Sequence, residues 1–165
     1  MKIYPDLYLE SVKNINPTLL KKNNIKGLIL DVDNTLIDYY RNMPDGVEAW
    51  CKNIKDEGIQ CMIVSNSNKK DKVETVAKKL EIKYILFAKK PLKSGFLRAA
   101  KQMNLNPEEI AAVGDQIFTD VIGSNRCNMF SILVKPIAKK DLILTLVKRP
   151  LENIVIKRYL KKKGK

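Results

Sequence analysis

Lys26-Gly27-Leu28-Ile29-Leu30-Asp31-Val32-Asp33-Asn34-Thr35 is the stretch whose reading decides the fold. The apolar run opened by Gly27 predicts a buried parallel strand over 27–31, and two carboxylates sit where that strand runs into a loop. Residues i and i+2 of an extended chain point to the same side, so Asp31 and Asp33 can face one pocket. Two acids buried side by side are costly unless a cation or a shared proton relieves them. Taken alone, the stretch also fits a plain strand end followed by an Asx-type turn, with Asp33 and Asn34 capping backbone N–H groups.

Similar runs recur along the chain. Ile59 to Val64 ends in Ser65-Asn66-Ser67-Asn68, Tyr84 to Ala88 ends in Lys89-Lys90-Pro91, and Ile110 to Val113 ends in Gly114-Asp115. Phe130 to Val134 is a fifth apolar run. Helical spacing fills the gaps. Val47, Trp50, Cys51 and Ile54 recur at i, i+3, i+4, i+7 after Pro44-Asp45-Gly46, with Gly58 closing the helix. Val73, Val76, Ala77 and Leu80 share a face of a helix over 69–80, and helices are also predicted over 92–103 and 119–128. An N-terminal arm (1–25), partly helical, packs on the body. After Pro136 come a short helix over 141–147 and a last one starting at Pro150, which ends in a basic tail, 157–165. Strand and helix alternate, which implies one α/β domain over 1–165 with a parallel sheet and helices on both faces.

Open α/β sheets bind ligands outside the carboxyl ends of their strands. Four strand ends here carry polar groups: Asp31/Asp33, Ser65/Asn66, Lys90 and Asp115/Asp120. Each has a plain reading alone, as a turn, a solvated lysine or a helix cap. Their order along successive strands is the signal.

Asp31-Val32-Asp33-Asn34-Thr35, Val64-Ser65-Asn66, Lys90-Pro91 and Gly114-Asp115-Gln116-Ile117-Phe118-Thr119-Asp120 resemble the four motifs of the haloacid dehalogenase (HAD) superfamily. The strings Ala88-Lys89-Lys90-Pro91 and Gly-Asp-Gln-x-x-Thr-Asp are similar to YqeG-type phosphatases of subclass IIIA, which are related to phosphatidylglycerophosphate phosphatases. Arg149-Pro150-Leu151-Glu152 belongs to the same resemblance, whereas Ser67 stands where a second Asn is expected. The resemblance implies an HAD-like Rossmannoid three-layer sandwich with about five parallel strands in the order 5-4-1-2-3. It also implies a set of roles. Asp31 is the nucleophile, forming an aspartyl-phosphate. Asp33 is the general acid and base, partly protonated because burial and a neighbouring carboxylate favour its neutral form. Lys90 neutralises charge. Thr35, Ser65 and Asn66 form the substrate loop, Thr35 ordering it and Ser65 with the Asn66 backbone holding phosphoryl oxygens. Mg²⁺ is the implied cofactor, held by Asp31, Asp115 and the Asp33 backbone carbonyl, with Asp120 in direct or indirect support.

Spacing independently argues against a cap. A cap domain needs roughly 50 residues of its own. The stretches 36–58 and 66–89 are too short for one beside the elements they already hold. The cleft is therefore expected to be open, which favours a bulky or surface-presented phosphate ester.

No histidine occurs, which excludes Ser-His and Cys-His nucleophile systems and His-ligated zinc. Three cysteines, Cys51, Cys61 and Cys127, without a CxxC pair suit small core residues in a reducing, cytoplasmic compartment. Neither a signal pattern at the N-terminus nor an apolar window of roughly 18–20 residues is present. Net charge is +13, from 31 basic and 18 acidic residues, which favours anionic partners. No RNA-binding signature accompanies it, so nucleic acid is disfavoured. The leading expectation is a Mg²⁺-dependent phosphomonoesterase, with phosphatidylglycerophosphate as one candidate substrate. The alternatives are a phosphatase of a soluble sugar phosphate, nucleotide or phosphoprotein, and a non-catalytic basic module for RNA or ribosomes. In the last helix, Leu151, Ile154, Val155 and Tyr159 predict an apolar stripe. Beside the basic tail it suits either packing on the domain or a peripheral contact with anionic lipid at the inner face of the membrane.

Overall fold

Six strands form one all-parallel sheet in the computed structural model, which describes residues 1–138 and 143–164. They are β1 (Leu7–Leu9), β2 (Gly27–Leu30), β3 (Gln60–Val64), β4 (Lys83–Ile85), β5 (Ile110–Gly114) and β6 (Phe130–Val134), in the order β1-β6-β5-β2-β3-β4. Helices α1 (Pro17–Lys22), α2 (Val47–Asp56), α3 (Lys70–Leu80), α4 (Lys93–Met103), α5 (Ile122–Arg126) and α6 (Ile143–Lys162) connect and cover them.

The five expected strands stand in the expected order, and the correction is a sixth. Leu7, Tyr8 and Leu9 pair in parallel with Ile132, Leu133 and Val134, extending the sheet beyond β6. This segment was expected as part of a partly helical arm. Three residues are too few to show a period of two, and their edge position depends on a partner about 125 residues away.

Period-two alternation feeds two layers. Leu28 and Leu30 of β2 point into a cluster with Ile54 of α2 and Val73 and Val76 of α3. Ile29 points the other way, onto Phe96, Ala99 and Met103 of α4. Burial of side chains of this size contributes about 1.5–3 kcal/mol each before entropy is counted.

Register then aligns the strand ends. Leu30 lies opposite both Ile63 and Val113, and the Asp31 N–H continues the ladder to the Val113 carbonyl at 2.9 Å. Asp31, Ser65 and Asp115 thus leave the sheet side by side. Residues 31–46 and 65–69, where a cap would be inserted, hold only turns, loops and one isolated bridge between Asp33 and Ile37.

Three further elements depart from expectation. The strand expected to reach Ala88 stops at Ile85, and the loop beyond turns through positive φ at Phe87 (48°) and Lys89 (55°). The helix expected from Thr119 begins instead as a π-helical turn, Ile117–Val121, ahead of α5. The last helix was expected to start at Pro150; α6 already runs from Ile143 and carries Pro150 inside it. Residues 141 and 142 of the expected short helix lie outside the described residues.

The apolar stripe of α6 also faces another way. Val155 and Ile156 pack against Ile117, Val121, Ile122 and Leu133, and Tyr159 is buried. Leu151 and Ile154 are exposed, together with Val147. Glu152, not Leu151, turns inward, because the Phe118 N–H and Arg149 offer it partners there. The basic end is anchored too: Lys162 Nζ sits 4.8 Å from the centroid of the Tyr4 ring.

Candidate active site

Asp31, Asp115 and Asp120 each bring a carboxylate oxygen within 4.8 Å of the others, and all three residues are buried. Asp31 follows β2 and Asp115 follows β5. Asp120 comes from the π-helical turn, a wider coil found frequently at functional sites. Lys90, from the loop after β4, reaches between them. Its Nζ donates to Asp31 Oδ1 and to Asp120 Oδ1, both at 2.7 Å.

Burial dominates the electrostatics. It raises the Asp31 carboxyl to about 7, against the pull of Lys90 and with the push of Asp120. It also raises Asp115 well above the usual range, with Asp31 adding to the effect and Arg149 opposing it. For Lys90, burial alone would lower the value. The facing Asp120 and Asp31 carboxylates outweigh it and hold the ammonium above its ordinary range.

Each expected residue has a definite place. The Asp33 carboxylate lies outside the cluster, with a side chain 37% exposed and 2.5 Å from Lys72 Nζ. Deep burial, expected for this acid, is therefore not what surrounds it. Thr35 is buried behind Asp31. Its hydroxyl lies 3.3 Å from Asp31 Oδ2 and 3.4 Å from Asp115 Oδ1, and its single proton can serve only one of them at a time. It braces two acids and is absent from the cleft lining. Ser65 lines the cleft, and its Oγ accepts the Ser67 N–H at 3.0 Å. The Asn66 side chain accepts the Lys90 N–H at 2.7 Å and donates to the Lys90 carbonyl at 3.0 Å. It fixes the backbone that aims Lys90.

The cleft of about 720 Å³ is lined by Asp31, Asp33, Ser65, Asn66, Lys72 and Lys90. Arg41, Lys69 and Lys148 bring positive charge to its walls, beside exposed Tyr39 and Phe87. Sequence reasoning missed three participants: Lys72, Arg149 and Glu152. Lys72 stands next to Val73 on a helix whose other lysines are solvated. Arg149 and Glu152 were noted only as a string.

Gly114 has a steric reason. A Cβ there would stand 2.2 Å from Cγ and Oδ2 of Asp120, whose oxygens Lys90 and the Gln116 N–H already hold. We expect Gly114→Ala to destabilise the protein by about 1–3 kcal/mol, the usual cost of overpacking, and to lower kcat at least tenfold by displacing Asp120. Urea unfolding and steady-state kinetics check this; unchanged values in both would show that Asp120 can move freely.

A family model of haloacid dehalogenase-like hydrolases matches residues 40–128. The chain is 38% identical over 161 residues to the probable phosphatase YqeG of Bacillus subtilis (strain 168), covering 97% of this chain and 92% of that protein. This chain belongs to the haloacid dehalogenase-like hydrolases. It is an HAD-type phosphatase. It is also 27% identical over 178 residues to phosphatidylglycerophosphate phosphatase 1, chloroplastic/mitochondrial, of Arabidopsis thaliana, covering 97% of this chain but 49% of that protein. The fold is shared with the cobalt-bound deoxy-D-mannose-octulosonate 8-phosphate phosphatase of Haemophilus influenzae, at a TM-score of 0.54 and 18% identity, over 70% of this chain and 81% of that one. Within this HAD hydrolase the four strand-end motifs converge on one cleft.

Hard oxygen donors packed this closely fit a small divalent cation. Lys90 and Arg149 leave the buried carboxylates of Asp31, Asp115 and Asp120 in excess, and the donor set is all oxygen.

Proposed function

We propose that this HAD phosphatase is a Mg²⁺-dependent phosphomonoesterase that works through an aspartyl-phosphate on Asp31. The observation that carries the reading is the meeting of buried Asp31, Asp115 and Asp120 with Lys90, at a cleft that Asp31 and Lys90 line. Asp31, Asp115 and the Asp33 backbone carbonyl would hold Mg²⁺, with Asp120 beside them. When bound, the ion would supply positive charge that lets an anionic nucleophile meet an anionic phosphoryl group.

Chemistry on the protein side takes two steps. A carboxylate oxygen of Asp31 bonds to phosphorus while the bond to the ester oxygen breaks, and Asp33 gives that oxygen its proton. Water then attacks phosphorus, Asp33 takes the proton back, and inorganic phosphate leaves with Asp31 restored. Lys72, paired with Asp33, keeps that carboxylate at the cleft. Ser65 and the Asn66 main chain receive the phosphoryl oxygens, and Lys90 offsets the charge that builds on them.

Among esters, a lipid phosphomonoester such as phosphatidylglycerophosphate is our leading substrate. Its support is the likeness to the plant phosphatase and a cleft mouth that combines cations with exposed Tyr39 and Phe87. Exposed Val147, Leu151 and Ile154 on α6 provide apolar surface for a peripheral contact with anionic lipid. No helix among the described residues is long and apolar enough to cross a membrane. A reducing, cytoplasmic setting agrees with the three free cysteines.

Phosphate release should be assayed over phosphatidylglycerophosphate in vesicles, sugar phosphates, nucleotides and a phosphopeptide. We expect release from the lipid ester to be fastest, to require Mg²⁺, to vanish in EDTA, and to be inhibited by Ca²⁺, whose looser coordination misplaces the nucleophile. Full activity in excess EDTA would remove the metal from the mechanism. Faster release from a soluble ester would remove the lipid.

A further inference from the structure

Arg149 and Glu152 stand outside the chemistry just described, yet they grip one of its acids. Arg149 Nη1 donates to the Asp115 backbone carbonyl at 2.8 Å, and Nη2 pairs with Asp115 Oδ2. Glu152 Oε2 lies 3.3 Å from Nη1 of the same guanidinium. The other Glu152 oxygen, Oε1, accepts the Phe118 N–H at 3.1 Å. That N–H belongs to the first turn of the π-helical segment that carries Asp120. The Asp115 and Glu152 side chains are sealed from solvent and that of Arg149 is 17% exposed. Asp115 Oδ1 is left facing Thr35 and the carboxylate cluster.

Resting on the cation site proposed above, we propose that Arg149, oriented by Glu152, is a positioning residue for that site. The last torsion of an aspartate is broad, so a carboxylate at a strand end does not by itself choose which oxygen faces inward. A planar guanidinium that holds both the carbonyl and the outer oxygen of Asp115 makes that choice. One oxygen, Oδ1, is then presented to the ion. Glu152 fixes the guanidinium and ties the same helix to the turn bearing Asp120, so α6 sets two of the three acids at once. The string Arg149-Pro150-Leu151-Glu152 acquires a use: residues i and i+3 on one helix face reach one loop.

Three roles for Arg149 predict different metal affinities. A guanidinium that merely repels cations gives tighter binding when removed. A purely structural ion pair changes stability and leaves the affinity of folded protein unchanged. A positioning residue gives weaker binding. Full-length protein, stripped with chelator and dialysed, is titrated with Mn²⁺ while free ion is read by electron paramagnetic resonance. We expect Arg149→Ala to weaken Mn²⁺ binding by about 10–100-fold, the range seen when supporting partners of metal ligands are lost. Arg149→Lys keeps the charge but not the two-point grip and should fall between wild type and Arg149→Ala. Glu152→Gln, which can still accept from Phe118, should weaken binding by about three- to tenfold and serves if Arg149→Ala does not fold. Equal or tighter Mn²⁺ binding by folded variants overturns this assignment alone. A wild-type protein that binds no Mn²⁺ overturns the cation site and the positioning role together.

Discussion

Asp31→Asn should lower kcat by about 10⁴-fold or more on any phosphomonoester while the protein stays folded. An amide cannot form the acyl-phosphate, and the sequence holds no histidine to replace it. The variant should also be more stable than wild type in chelator at pH 8. Burial raises Asp31 from its ordinary 3.8 to about 7, so the folded state binds that proton more tightly than the unfolded chain does. The stability this contributes is present below about pH 4 and is lost as pH rises through about 7. Asparagine carries no charge at any pH and escapes that loss. Thermal melts of both proteins in EDTA should therefore converge at about pH 4 and separate progressively up to pH 8, with Asp31→Asn melting higher. Undiminished turnover by folded Asp31→Asn would end the covalent mechanism. Asp33→Asn, which keeps the nucleophile but loses the proton shuttle, should accumulate phosphorylated Asp31 in the mass spectrum.

How far the chain could be read before its fold was known depended on the range of the physics. Gly27–Leu30 and Phe130–Val134 are strongly apolar and were placed within a residue, because buried parallel strands need no partner-dependent pattern. The face of α2 followed from Val47, Trp50, Cys51 and Ile54 alone, and all four are buried. The strand-end acids were legible because sheet topology forces them together once the register is set.

What escaped was long-range or local in a way that patterns do not record. Leu7–Leu9 is a strand only because β6 offers an edge. Lys72 looks like a solvated helix lysine until Asp33, 39 residues earlier, is placed over it. The inward turn of Glu152 was hidden for a more specific reason. Hydrophobic spacing assigned that face to Leu151 and Ile154, but the hydrogen bond of Glu152 to Phe118 and the grip of Arg149 on Asp115 hold the helix in another rotation. A π-helical turn, likewise, has no apolar signature that separates it from an α-helical start. These surprises gather where polar partners outvote periodicity, and three of them, Lys72, Arg149 and Glu152, touch proposed site residues or their loops.

Lys90→Met should be the most damaging substitution to stability, and its cost should grow with pH. Lys90 is nearly isosteric with methionine along most of its length, so packing changes little, while a buried ammonium 2.7 Å from both Asp31 and Asp120 disappears. Removing one partner of a buried ion pair costs about 3–5 kcal/mol, because the remaining charge is left uncompensated. Here one remaining group, Asp31, is an acid already raised by burial that can relieve the cost by taking up a proton. Lys90 is what holds Asp31 down against burial and Asp120, so its loss moves Asp31 further up from about 7. An acid raised in the folded state stabilises the fold below its unfolded value and loses that contribution as pH climbs through the folded one. The window of loss therefore shifts to higher pH in the variant. At pH 5, Asp31 is neutral in both proteins and the deficit should be small. At pH 8, wild type keeps a compensated carboxylate and the variant must either bury charge or hold a proton against the solvent. Urea unfolding in EDTA at pH 5 and pH 8 checks this, and Mg²⁺ at pH 8 should return part of the lost stability by replacing the missing charge. A deficit of the same size at both pH values would mean that Lys90 acts through packing, and its electrostatic role between Asp31 and Asp120 would have to be abandoned.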